Sequence, residues 1–434
     1  MDFRTKDGIP FGGELKTSAY CLDPNVIFLN HGSYGAVPKD VQAEQTRLRD
    51  DLERYPDKWF RITNSQLWRN SLQTICSFLG AEVENTVFVE NTTTGVDSVV
   101  KSIQFQPGDA ILISNVTYNA MKNMGTFSTP KDVTVIYVEL QHPIEDKEYI
   151  LEKYREVLEN HTNIRAAIID HITSPTSIVL PVEELVKMLK EFGVLSIIDG
   201  AHAPGQIDLS IADIGADFYA GNLHKWLFTP RGCAILWIHP KHQTVIRPGI
   251  TSHFHGHKLH YDFCVRGTRD NTPYHTVGAA LGYLERLGGL GTVHNYTERL
   301  LDEGCAYLCK VLGTETYPLP PSLRAPSMRL LRIPHIEGYS RDPQGAGSLE
   351  TELSTNYNIQ TCMTFINGFT WIRLSVHVYN TIADFHKLGE ALNNIMTSGK
   401  ADRVRDEEYG CPLLHWDLTP LTSIGNEKTV EKLS

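Results

Sequence analysis

The chain has 434 residues, too many for one simple core, so two domains or more are expected. Its apolar share of 41% and charged share of 21% are those of a soluble globular protein, and the net charge of −11 argues against non-specific binding to nucleic acid or anionic membranes. No apolar run approaches the ~20 residues that span a bilayer, and the N-terminal MDFRTKDGIPFGG has no export signal.

Residues 1–29 read as a polar N-terminal arm punctuated by Gly and Pro, ending in a short apolar strand, Val26 to Leu29. Asn30-His31-Gly32-Ser33-Tyr34-Gly35 follows, either a turn that brings backbone and side chains near a ligand or a plain structural turn. Residues 39–80 carry apolar and charged residues at helical spacing and predict helices at a domain interface. Thr86 to Glu90 is a strand, and Asn91-Thr92-Thr93-Thr94-Gly95-Val96-Asp97 stands at its junction with a helix. Hydroxyls and a glycine there suit a phosphate cradle, and a capping box from Thr94 to Asp97 explains them equally well.

Asp109 to Ser114 predicts another buried strand, with Asn115-Val116-Thr117-Tyr118 after it. Tyr118 is either a helix-start packing residue or a phenol placed for proton transfer. Ala166 to Asp170 is again a strand, leading into His171-Ile172-Thr173-Ser174-Pro175-Thr176. His171 reads equally as a satisfied core histidine, and no proton role is given to it. Val182 to Phe192 predicts an amphipathic helix that completes a strand–helix–strand unit.

The unit ends on the stretch that carries the chemistry. An apolar run (Val194, Leu195, Ile197, Ile198) closes on Asp199, a carboxylate delivered to a strand's C-terminal edge. His202 and Asp217 follow, then Gly221-Asn222-Leu223-His224-Lys225-Trp226. A lysine among apolar and aromatic neighbours is desolvated, which frees its amine to attack a carbonyl. A carboxylate with such a lysine suits pyridoxal phosphate: the acid keeps the pyridine nitrogen protonated, and the lysine holds the aldehyde as a Schiff base. An Asp after an Ile-Ile strand is common in α/β proteins; its combination with His202, His224 and Lys225 is what specifies a cofactor site.

Further on, Ser252-His253-Phe254-His255-Gly256-His257 alternates histidines without an acidic residue among them, and reads as a surface or pocket loop rather than a metal site. Phe263 to Asp270 contains the pair Gly267-Thr268. Thr276 to Gly288 predicts a long helix bridging into a second domain, and residues 316–326 are a proline-rich connection. Thr370 to Asn380 predicts a strand with Arg373 inside it; a buried guanidinium is costly unless it meets an anion, and its fork suits a carboxylate. The tail from 401 to 434 carries no recognisable chemistry. Eight cysteines without a CxxC pair point to reduced thiols in the cytoplasm.

The DGAH element at 199–202, the His224-Lys225 pair and the Pro230-Arg231-Gly232 turn resemble the class V aminotransferase superfamily of fold-type I pyridoxal phosphate enzymes, over nearly the whole chain. FLNHGSYG at 28–35 and Tyr55 to Phe60 resemble its isopenicillin N epimerase-like and hercynylcysteine sulfoxide C–S lyase-like branch. The resemblance implies an α/β fold, with a large mostly parallel-sheet domain over about 30–280 and a smaller α/β domain over about 281–400. It implies cofactor contacts from Thr92, Thr93, Ser174, Asp199, His202, Asn222, His224 and Lys225. Thr268 is implied to reach the cofactor phosphate of a partner in a homodimer, and Arg373, with Asn30 and Tyr34, to hold the substrate. Many members have a ring-stacking histidine where this chain has Val116 or Thr117; Tyr118 matches a tyrosine of the lyase and epimerase members.

The reaction implied is β-elimination from a cysteine S-conjugate or sulfoxide, with Lys225 moving the Cα proton and Tyr118 near the leaving sulfur. Epimerisation, and bond formation at Cα or Cγ, are the alternatives. A cysteine desulfurase is a third reading, since Cys362 lies shortly before Arg373, but its surroundings read as a strand rather than a mobile loop. A non-catalytic binding relative is opposed by the joint presence of Asp199, His202, His224, Lys225 and Arg373.

Overall fold

The computed structural model describes residues 3–398 and the pair 430–431. The chain divides into two units, one of Gly35–Ser174, Ile178–Glu285 and Glu427–Ser434, the other of Met1–Tyr34, Pro175–Ser177 and Arg286–Asn426.

The larger unit is built on an eight-stranded sheet. Its order is Val430–Glu431, Thr134–Val138, Ala110–Ser114, Ile164–Asp170, Leu195–Asp199, Phe218–Asn222, Ala234–Ile238 and Thr86–Val89. Every pairing is parallel except the two made by Ala234–Ile238, which runs antiparallel to both neighbours. Runs such as Ala110-Ile111-Leu112-Ile113 are buried along their whole length, the pattern of strands covered on both faces. Parallel strands deliver their C-terminal ends to one edge, so Ser114, Asp170, Asp199 and Asn222 share that edge with Asn91 and Thr92, which follow Thr86–Val89. That shared edge is what gathers a site.

Helices Lys39–Arg54 and Asn64–Leu79 occupy the region predicted as helical, joined through a short π turn at Trp59–Thr63. Val182–Glu191 crosses between the strands 164–170 and 195–199, as its amphipathic spacing predicts. The helix expected over 276–288 is shorter: Val277–Arg286 stops, and Gly288 and Gly289, with φ of 91° and 82°, turn the chain into a second helix, Gly289–Leu312. Two consecutive left-handed residues cannot continue a helix.

The smaller unit holds a three-stranded antiparallel sheet in the order Cys362–Ile366, Phe369–Ser375, Met328–Arg332, and a short parallel pairing of Ile27–Phe28 with Ile359–Gln360. Its core joins Leu29, Leu301, Leu308, Leu353, Ile372, Leu374, Phe385 and Leu388, each such side chain contributing about 1.5–3 kcal/mol when fully buried. Gly304 lets Gly289–Leu312 approach Ile382–Thr397 closely, because a Cβ there would lie 2.2 Å from the Phe385 ring. The strand expected through Asn380 ends at Ser375, where His377 and Asn380 form a turn closed by the Asn380 side chain on the His377 N–H at 2.9 Å. The N-terminal arm contributes to this unit: it carries the helix Gly13–Ala19 and buries Phe11, Leu15 and Tyr20.

Candidate active site

Lys225 stands three residues past the strand Phe218–Asn222 and is half-buried. Its Nζ lies 3.1 Å from His202 Nε2, and the Trp226 indole N–H donates to His202 Nδ1 at 3.3 Å. An indole nitrogen can only donate, so Nδ1 is the acceptor and a neutral His202 carries its proton on Nε2. A hydrogen bond from Nε2 to Nζ forms when Lys225 is the uncharged amine, the form that attacks a carbonyl.

Two glycines let other segments close on this loop, and a third closes on the strand before it. Gly35, at φ 68°, lies so near that a Cβ would sit 2.1 Å from the His224 carbonyl oxygen, and Arg231 donates to the Gly35 carbonyl at 3.0 Å. Gly205, at φ 85°, approaches the Trp226 carbonyl with 2.6 Å for a Cβ. Gly200 packs under the Tyr219 ring. His224 donates from Nδ1 to the Cys233 carbonyl at 2.9 Å, and burial pushes its pKa down to about 4, so it is neutral at physiological pH.

Asp199 is buried at the end of its strand, and Oδ1 accepts from the Ala201 N–H at 2.9 Å. Asn222 is buried at the end of the next strand and accepts from the Thr92 N–H at 2.9 Å, tying that strand to the start of the helix Thr92–Ser102. That helix is capped by Asn91, whose Oδ1 accepts from the Thr94 N–H at 2.8 Å. The capping box expected from Thr94 to Asp97 is therefore not formed; Thr94 lies inside the helix, and Asp97 accepts from Lys101 and Ser128. Thr92 is buried with its Oγ1 lacking a hydrogen-bond partner among the described residues, while Thr93 is exposed.

Ser174 is half-buried in the loop after Asp170. His171 is a satisfied core histidine: its Nδ1 meets the Tyr219 hydroxyl at 2.9 Å, and burial takes its pKa down to about 4. Tyr118 opens the helix Asn119–Phe127, is 45% exposed, and donates its backbone N–H to Asp170 Oδ1 at 3.3 Å. Gly267 and Thr268 are exposed on a loop whose arginines, Arg266 and Arg269, both grip Glu90, the residue before Asn91.

In the smaller unit, Arg373 is buried and donates to Asn30 Oδ1 at 3.0 Å and to Ser33 Oγ at 2.8 Å. Tyr34 is 63% exposed. Cys362, read from the sequence as a small buried residue, begins the strand Cys362–Ile366 opposite Arg373 in register, and is half-buried rather than buried because that strand lies at the sheet's edge.

The family Aminotransferase class-V matches residues 61–388. The chain belongs to this family. It is 29% identical over 412 residues to a probable chloroplastic L-cysteine desulfhydrase of Arabidopsis thaliana, covering 89% of this chain and 86% of that protein. It is 25% identical over 396 residues to the hercynylcysteine sulfoxide lyase of Schizosaccharomyces pombe, covering 88% and 97%. An apo cysteine desulfurase from Thermococcus onnurineus NA1 has the same fold, with a TM-score of 0.69 at 16% identity over 91% of this chain and 98% of that one.

The enzyme's cofactor is pyridoxal 5′-phosphate, and the larger unit's residues fit it. A buried, unbonded Thr92 hydroxyl at the start of an eleven-residue helix suits a phosphate oxygen. A buried carboxylate at Asp199 suits a protonated ring nitrogen, and Lys225 suits the aldehyde. Two residues that matter here escaped the sequence reading. Gly35 was visible only as part of a turn, and Asp170 only as a strand end; a Gly or Asp in such a place gives no sign of the distant residue it touches.

Proposed function

We propose that the chain is a C–S lyase that β-eliminates from cysteine, a cysteine S-conjugate or a cysteine sulfoxide. The observation that carries this reading is the likeness, over nearly the whole chain, to two proteins named for breaking a carbon–sulfur bond. The half-buried Cys362 supports it against a desulfurase, because a thiol at the start of a paired strand has little freedom to swing toward a substrate sulfur.

When bound, pyridoxal phosphate withdraws electrons from the substrate's Cα. Lys225 takes the Cα proton as its general base, with His202 fixing its nitrogen. The Asp199 carboxylate holds the ring nitrogen, and Thr92, Thr93 and the helix start hold the phosphate, with His224, Asn222 and Ser174 supporting the ring and its substituents. The Cβ–S bond breaks, the sulfur leaves with the bonding pair, and Tyr118 gives it a proton. The released enamine takes up water to give pyruvate and ammonia, so no external oxidant or reductant is needed. Arg373, held by Asn30 and Ser33, anchors the substrate carboxylate, with Tyr34 beside that motif.

A homodimer, with Gly267-Thr268 reaching the partner's cofactor phosphate, is supported by the exposure of that pair and by the salt bridges that hold its loop. Free thiols at Cys21, Cys76, Cys233, Cys264, Cys305, Cys309 and Cys362 support a reducing compartment such as the cytoplasm. No described helix is long and apolar enough to cross a membrane.

The test is a screen of L-cysteine, S-alkylcysteines and cysteine sulfoxides in deuterated water. Pyruvate and ammonia in equal amounts are expected from at least one. Deuterium at Cα of recovered or racemised amino acid, with nothing eliminated, would overturn the lyase reading in favour of epimerisation.

A further inference from the structure

One buried carboxyl of the larger unit has no part in the reaction as written. Asp170 closes the strand Ile164–Asp170 and is the register partner of Asp199 on the adjacent parallel strand. Register partners on neighbouring strands lie about 5 Å apart and point their side chains to the same face. Both groups are buried, at 2% and 3% exposure. Two carboxylates so close and so dry cannot both be charged without a large penalty.

The surroundings divide the pair unequally. Burial raises the pKa of Asp199 as well, but the Ala201 N–H, which it accepts at 2.9 Å, and the charge of Lys225 both act against that rise. Asp170 Oδ1 accepts the Tyr118 N–H at a longer 3.3 Å, and the Thr117 hydroxyl also bonds this carboxyl. Its Oδ2 is buried without a hydrogen-bond partner among the described residues. An unbonded oxygen is far cheaper to bury on a neutral acid than on a carboxylate. Lys122 of the helix Asn119–Phe127, whose charge reaches Asp170, is bonded to the Asn115 carbonyl at 2.6 Å and has Glu139 near it as well. The buried phenol of Tyr154 also faces Asp170, while Tyr219 faces Asp199.

We propose that Asp170 is an uncharged positioning residue, which as a carboxylic acid fixes the 114–118 turn that presents Tyr118 and leaves Asp199 as the single negative charge facing the cofactor's ring nitrogen. This rests on the cofactor and lyase reading above. It assigns to Asp170 two tasks at once. A second carboxylate beside Asp199 would compete for the ring nitrogen's proton, and a residue without an acceptor oxygen would release the Tyr118 backbone.

Burial, and then the charge of Asp199, push the Asp170 pKa up to about 8 from an ordinary 3.8. Between those values the unfolded chain has lost a proton that the folded chain keeps. Stability due to this group therefore falls as pH rises across that window, by about tenfold in the folding constant per pH unit, and levels off above it.

The experiment follows the full-length chain, with and without added pyridoxal phosphate, through denaturant unfolding from pH 5 to 9. Asp170→Asn removes the titration and keeps the acceptor. It should gain on the wild type as pH rises to about 8, by at least about tenfold in folding constant, and should retain the cofactor's visible band and affinity within about threefold. Asp199→Asn should lose that affinity. Asp170→Leu should match Asp170→Asn in its pH profile but turn over more slowly, with KM unchanged. An Asp170→Asn curve parallel to the wild type at every pH, or a loss of cofactor equal to that of Asp199→Asn, would overturn the proposal. Failure of every variant and the wild type to form pyruvate would count against the lyase reading alone, because the unfolding profiles are read without turnover.

Discussion

Lys225 Nζ lies 3.1 Å from His202 Nε2, while the other ring nitrogen of His202 accepts from Trp226 at 3.3 Å. Two residues adjacent in sequence thus hold one imidazole from both sides, and the indole decides which of its nitrogens carries the proton. Lys225→Ala should bind pyridoxal phosphate only reversibly, so that the cofactor leaves on dialysis, and should lower turnover by about 10⁴-fold, the upper end of general-base contributions. A visible band that survives dialysis in this variant would assign the covalent attachment to another residue.

Trp226→Phe tests the indole's part separately. Without that donor His202 can move its proton to Nδ1 and offer Nε2 as an acceptor, which favours the charged ammonium of Lys225. Loading of the cofactor should then require higher pH, by about one unit, the equivalent of one net hydrogen bond. The measurement is the rate at which the visible band forms on adding pyridoxal phosphate to the apoprotein at a series of pH values. An unmoved acid limb would show that the tautomer is set elsewhere.

Gly35→Ala addresses the close approach to the lysine loop. The residue sits at φ 68°, and its new Cβ would meet the His224 backbone oxygen at 2.1 Å, which no side-chain rotation can relieve. A non-glycine residue in such a conformation costs about 1–3 kcal/mol before the clash is counted. The variant should melt several degrees lower and release its cofactor faster. Wild-type stability with wild-type cofactor retention would mean that the segment shifts without consequence.

Arg373→Ala should raise KM by about 10²–10⁴-fold, since removing one partner of a buried ion pair costs about 3–5 kcal/mol. The cofactor's spectrum and affinity should not change, because Asn30 and Ser33 of the smaller unit hold the Arg373 guanidinium. Wild-type KM for the amino acid would remove Arg373 from substrate binding.

The strands that end on Asp170 and Asp199 were legible because each is a mostly apolar run closed by an acid, and Lys225 was legible because its neighbours are apolar and aromatic. Hidden from the sequence was which strand lies beside which. The pairing of Asp170 with Asp199 follows from the sheet's order and register, which one-dimensional periodicity does not carry. The capping box at Thr94 fitted the residue pattern, yet Asn91 took the cap because the strand already ends at Val89 and the helix begins at Thr92. The helix expected over 276–288 forms as Val277–Arg286 and stops short of Gly288-Gly289, whose positive φ angles end it.

Tyr118→Phe is the sharpest test of carbon–sulfur cleavage. The phenol is 45% exposed, so an incoming substrate can reach it, and its backbone is fixed by Asp170. If it protonates the departing sulfur, its value depends on how much the sulfur needs a proton. A thiolate of low basicity leaves unaided, whereas an alkyl thiolate does not. Tyr118→Phe should therefore slow turnover of S-alkylcysteines by about 10²–10⁴-fold, and the defect should shrink steadily along a series of S-arylcysteines whose leaving thiols grow more acidic. Exchange of the Cα proton with deuterated water should continue at the wild-type rate throughout. A defect of the same size for every leaving group would place Tyr118 in ring contact or substrate binding instead of proton donation.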